Sequence, residues 1–97
     1  MTNTQTQKQQ TVKTESELTD QSHLIVFNDD ENTFDWVIIC FVEVCKLDTD
    51  EAIEKTLYIH YNGKGVVRSG DYQTMNEMKN QLNERGLIAT VVRPELN

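Results

Sequence analysis

Ten of the twelve residues from Phe34 to Cys45 are apolar, and only Asp35 and Glu43 interrupt the run. No other stretch of the chain is as dense, so a core has to form around this one. Its β-branched residues, Val37, Ile38, Ile39, Val42 and Val44, favour a strand. Its length favours a helix, since a usual strand holds about 5–6 residues. Thr33 stands where an N-cap belongs, and Asp35 falls in the first turn, where the helix dipole favours an anion. The run therefore reads as a helix over 34–45, buried round most of its circumference. It is too short for a membrane span, which needs about 20 apolar residues.

The elements around it are shorter. His23–Phe27 is apolar and rich in strand formers, and Asn28-Asp29-Asp30 ends it as turn formers do. Asp48 with Glu51 three residues on makes a capping-box-like start for a helix over Asp48–Tyr61. Ala52, Thr56 and Ile59 form its stripe, with Ile53, Leu57 and Tyr61 beside them, and Asn62-Gly63 supplies a left-handed stop. Gly65–Arg68 reads as a short strand. Tyr72–Asn83 reads as a helix with Met75, Met78 and Leu82 on its core face, ending near Gly86. Leu87–Arg93 is the last strand, closed by Pro94. The order is β-α-α-β-α-β, a compact layer with helices on one sheet face.

Residues 1–21 read as a disordered N-terminal tail. Twelve of the 21 are Thr, Gln or Asn, too polar to offset an ordering entropy of about 1–2 kcal/mol per residue. Composition favours a leftover terminus over a functional tether. The domain is then 22–97, with a single modest core and no room for a cleft between two lobes. The first residues hold no apolar stretch, so no secretory signal is expected, and the chain reads as cytoplasmic.

Charge and chemistry narrow the function. The net charge of −7 argues against a nucleic-acid partner, which needs surplus Lys and Arg on its phosphates. Nine acids and one base lie between Asp29 and Glu54, so the first half presents an acidic face. The consecutive Asp29-Asp30-Glu31 repel one another and either stay wet or attract a cation. Two Cys and two His without metal spacing give no zinc site, and no other metal or cofactor is expected. Cys40 and Cys45 are poorly set for a disulfide. Gly63-Lys64-Gly65 lacks the pattern of a phosphate loop, and no Ser or Cys has an evident base partner. A binding module fits better than an enzyme. His60 at a helix end, and Asn28 and Asp30 at a strand end, matter only if the fold brings them together.

Three motifs at fixed separation carry a family resemblance that bears on this. Leu24-Ile25-Val26-Phe27-Asn28-Asp29-Asp30, then Phe34-Asp35-Trp36-Val37, then Ile59-His60-Tyr61-Asn62-Gly63-Lys64-Gly65 closely resemble the bacterial Clp protease adaptor family ClpS over about residues 23–93. The resemblance implies an α+β fold, a compact single domain with three helices on one face of a small three-stranded antiparallel sheet. It makes 34–45 a helix. It implies a non-enzymatic adaptor that holds proteins beginning with a large hydrophobic residue (N-degrons) and delivers them to a Clp ATPase.

Carried over by position, Asn28, Asp30 and His60 would grip the substrate's α-amino group. Asn32 stands where the family has a pocket-lining Thr, and Phe34 where it has a Met at the rim. Val37, Ile59 and Leu87 match apolar walls. Thr56 replaces a second Met that limits which side chains enter, and its hydroxyl needs a partner. Glu77 and Lys79 match charged positions that dock on the ATPase, ClpA-like or ClpC-like. The tail would then engage the ATPase. A monomer is expected. The chemistry is coherent: an α-ammonium of pKa about 7.7–8.0 is mostly charged near neutrality, Asp30 supplies the counter-charge, and neutral His60 offers an acceptor that protonation removes. The alternative is a domain of the same fold that binds and regulates a Clp chaperone without recognising N-degrons.

Overall fold

The computed structural model describes residues 21–94. Residues 1–20, most of the segment read as a tail, and 95–97 lie outside the described residues. Six elements follow in order: β1 (Ser22–Phe27), α1 (Phe34–Glu43), α2 (Thr49–Asn62), β2 (Lys64–Gly70), α3 (Tyr72–Glu84) and β3 (Ile88–Val92). The strands form one antiparallel sheet in the order β2-β1-β3. The α+β arrangement is the one expected.

Alternation along β1 sets the two faces. Ser22, Leu24 and Val26 are buried, while His23, Ile25 and Phe27 are half-buried on the other side. Against the inner face pack α2, beside β2, and α3, which reaches all three strands; α1 packs on α2. Phe41, Leu24, Met75 and Leu82 are the large, fully buried side chains. Each stabilises the domain by about 1.5–3 kcal/mol through removal from water. Val67 is the extra residue of a bulge, since Leu24 faces Arg68 while Ile25 faces Val66. Val67 is buried. Arg68 beside it donates to the Cys45 carbonyl at 2.7 Å, tying β2 to the α1–α2 turn.

All three helices start on a side-chain cap. Thr33 accepts from Trp36 N–H, Asp48 from Glu51 N–H and Asp71 from Thr74 N–H. Gly63 ends α2 at φ +91°.

Helix α1 and strand β2 depart from expectation. Helix α1 is not buried round most of its circumference: Phe34, Trp36 and Ile39 are exposed, and only Cys40 and Phe41 are buried within it. It meets α2 and the core along one stripe, with Val37, Ile38 and Val42 half-buried against the core and Phe34, Trp36 and Ile39 facing outward. It also stops at Glu43, because the chain turns through Lys46 at φ +63° toward the next cap. In α2 the buried stripe is Ala52, Thr56 and Ile59 alone, and Ile53, Leu57 and Tyr61 are exposed. Strand β2 is longer than expected because it pairs along all of β1. Both cysteines are free. No helix among the described residues is long and apolar enough to cross a membrane.

Candidate functional site

Asn28 leaves the sheet at the end of β1, and its backbone N–H donates to the Gly63 carbonyl at 2.9 Å. This bond seats the exit of β1 on the C-terminal cap of α2. It brings two motifs far apart in the chain, Asn28-Asp29-Asp30 and His60-Tyr61-Asn62-Gly63, to one end of the molecule. Gly65, just beyond, lets β2 pass close under α2: a Cβ there would lie 2.9 Å from Tyr58 Cδ1 and 3.1 Å from Ile59 Cγ1.

The loop between β1 and α1 is organised by Asp29. Its Oδ1 accepts the backbone N–H groups of Glu31 at 2.7 Å and Asn32 at 2.9 Å. The Asn32 amide nitrogen lies 3.2 and 3.1 Å from the two carboxylate oxygens. Burial pushes the Asp29 carboxyl up, but the Asn32 backbone and side-chain donors and the Glu31 N–H together outweigh it. The carboxyl sits below its ordinary value of 3.8. Asp29 is thus turned into the loop, and Asp30 is left exposed. Among the described residues no group of His, Cys, Asp or Glu is placed to hold a metal ion.

His60 stands exposed in the last turn of α2. The Phe34 ring meets it edge-on, with centroids 5.0 Å apart at 74°, and Tyr61 does the same at 5.0 Å and 76°. Phe34 opens α1, so the Thr33 cap that starts the helix also fixes the ring facing His60. Val37, one turn along, is half-buried. Thr56, Ile59 and Leu87 are buried. The Thr56 hydroxyl finds its partner within its own helix, donating to the Ala52 carbonyl at 2.8 Å.

Asn28, His60 and Phe34 are therefore brought to one end of the molecule. Glu77 and Lys79 stand apart on α3, the first exposed and the second half-buried. A groove of about 520 Å³ lies elsewhere, along α2 and β2, lined by Ile25, Glu54, Lys55, Tyr58, Lys64, Gly65 and Val66. None of the expected site residues lines it.

Tyr61 beside His60 and the structural role of Asp29 were not read from the sequence. The Asp29–Asn32 spacing, with an Asx-type acceptor two and three residues ahead of its donors, was the signal for the second. Nothing local marks the bond from Trp36 Nε1 to the Arg85 carbonyl at 3.0 Å.

Residues 17–90 match the family model of the ATP-dependent Clp protease adaptor protein ClpS. An ATP-dependent Clp protease adapter protein ClpS of Thermosynechococcus vestitus is 34% identical over 73 residues, 74% of this chain and 78% of that protein. The structure of Agrobacterium tumefaciens ClpS2 bound to L-phenylalaninamide shares the fold at a TM-score of 0.67 and 18% identity, covering 77% of this chain and 98% of the other. With its three motifs, its fold and these two matches in sequence, the chain belongs to the ClpS family of Clp protease adaptors.

Proposed function

We propose that this Clp protease adaptor recognises the free N-terminus of proteins that begin with a large hydrophobic residue and presents them to a Clp ATPase. The family is one of adaptors rather than of proteases, and a Clp ATPase is the partner that membership implies. The observation that carries the reading is the junction of β1 with α2. The Asn28 N–H to Gly63 bond holds Asn28 beside the end of the helix that bears His60, with the Phe34 ring against the imidazole. An α-ammonium at that junction meets an amide oxygen, an imidazole acceptor and the exposed carboxylate of Asp30. A large side chain beside it faces Val37, Ile59 and Leu87, with Asn32 lining the pocket, Phe34 at its rim and Thr56 limiting which side chains enter. The related ClpS2 was solved with L-phenylalaninamide, a ligand that carries an amine and an aromatic side chain.

The remaining assignments complete the proposal. Glu77 and Lys79 of α3 face the N-terminal domain of a ClpA-like or ClpC-like ATPase, residues 1–21 act as the handle it engages, and 22–97 form the adaptor domain, working as a cytoplasmic monomer. The test is a pair of titrations with a peptide beginning with Phe, one with a free amine and one N-acetylated. The free amine binds, and the acetylated peptide does not. Asp30→Ala keeps the fold and loses most of the binding, because it removes the counter-charge. Failure of both peptides, with retained binding to the ATPase domain, would make the protein a chaperone regulator instead.

A further inference from the structure

Arg85, Gly86 and Leu87 carry the chain from α3 into β3, and Gly86 turns it at φ +97°. Three side chains from the β1–α1 loop and α1 hold this turn. Trp36 Nε1 donates to the Arg85 carbonyl, and the Arg85 guanidinium donates to Glu43 at 2.7 Å. The third is Asn32, whose Nδ2 donates to the Gly86 carbonyl at 3.0 Å. The same nitrogen serves the Asp29 carboxylate.

A primary amide has two N–H donors, and here each has its own acceptor. The polar atoms facing Nδ2 are carboxylate and carbonyl oxygens, so the opposite amide orientation would set oxygen against oxygen. A threonine hydroxyl at this position has a single proton and can satisfy one acceptor only. Asn32 therefore spans two segments: the loop that bears Asn28 and Asp30, and the turn that leads into Leu87.

We infer that Asn32 is a positioning residue, a latch between the loop carrying the amine-binding groups and the turn carrying an apolar wall. It fixes the separation of the two halves of the site, so that ammonium and side chain of one ligand are met together. This rests on the N-degron reading above, and it assigns Asn32 to holding the site's geometry where its position alone suggests lining the pocket. The low-lying Asp29 carboxyl accords with it, since the charged form is the better acceptor.

The full chain is titrated with the free-amine and the N-acetylated Phe peptide as wild type, Asn32→Ala, Asn32→Thr and the exchange Asp29→Asn/Asn32→Asp. Circular dichroism establishes that each variant is folded. Trp36, the chain's only tryptophan, reports the turn through its bond to Arg85. Asn32→Ala binds the free-amine peptide about tenfold more weakly, the scale of one lost hydrogen bond, and Asn32→Thr falls between it and wild type. The exchange restores a donor–acceptor pair between 29 and 32 but points a carboxylate at the Gly86 carbonyl, so its affinity stays low. Trp36 emission moves to the red in Asn32→Ala, and saturating peptide draws it back, as linkage between turn and ligand requires. Wild-type affinity in Asn32→Ala, full rescue by the exchange, or an unmoved Trp36 emission overturns the latch alone. Equal binding of both peptides by wild type overturns the N-degron reading and the latch's role in it.

Discussion

Replacing Gly65 by Ala tests how tightly β2 is pressed against α2. The new Cβ would stand 2.9 Å from Tyr58 Cδ1, 3.3 Å from Tyr58 Cε1 and 3.1 Å from Ile59 Cγ1. The Tyr58 ring is 56% exposed and can swing aside, but Ile59 is 5% exposed and packed in the core. Overpacking of this kind costs about 1–3 kcal/mol. Alanine recovers about 0.5–1 kcal/mol, because glycine is unfavourable in a strand. The net loss is about 1 kcal/mol, and for a domain of this size that lowers Tm by about 4–8 °C. Urea denaturation should show a lower midpoint with an unchanged m-value. In a Tyr58→Ala background two of the three contacts vanish, so the same substitution costs less there, and a double-mutant cycle measures the difference. Because Ile59 adjoins His60, peptide affinity should fall along with stability. A Gly65→Ala protein as stable as wild type would refute the reasoning.

Thr56→Val should keep the stability within about 1 kcal/mol, since the hydroxyl it loses is bonded only to its own helix. Thr56→Met should destabilise the buried α2 face and alter the ranking of Leu-, Phe-, Trp- and Ile-initiated peptides. An unaltered ranking would take Thr56 out of specificity. Asp29 contributes stability that is present above its ordinary value of 3.8 and is lost as pH falls through its lower folded value. Asp29→Asn should therefore flatten the acid limb of stability against pH below about 4. Burial pushes the Cys45 thiol up to about 12, against the opposing pull of Arg68. The native thiol should resist alkylation at pH 8 until the protein unfolds, and stability should decline from about pH 9 upward, where only the unfolded chain ionises.

What the sequence disclosed was governed by short-range chemistry. The caps Thr33 and Asp48 act on N–H groups three residues on, so the starts of α1 and α2 are legible. The stop at Gly63 is equally local. The exposure of Trp36 and Ile39 was not legible, because an apolar run does not say how much of it the rest of a small domain can cover. Nor was the left-handed Lys46, where an ordinary residue fills a position that would suit glycine. At the site, family resemblance supplied residues and roles, and the structure supplied proximity. Asn28 finds Gly63 through a backbone bond that no side-chain pattern encodes. Asn32 illustrates both limits, since its bond to Asp29 spans three residues and its bond to Gly86 spans 54.

The strand that comes first along the described chain lies in the middle of the sheet. Both of its edges wait for partners made later: Phe27 for Lys64 on one side, and for Ile88 on the other. Pairings so distant in sequence are the slow ones, because loop closure comes before any contact repays it. At a synthesis rate of about 5–20 residues per second, β1 spends seconds as an unpartnered apolar ribbon. A chain cut short before Ile88 would leave one of its edges open, and an open edge invites pairing between molecules. Synthesis must therefore run through β3 before both edges of β1 are paired.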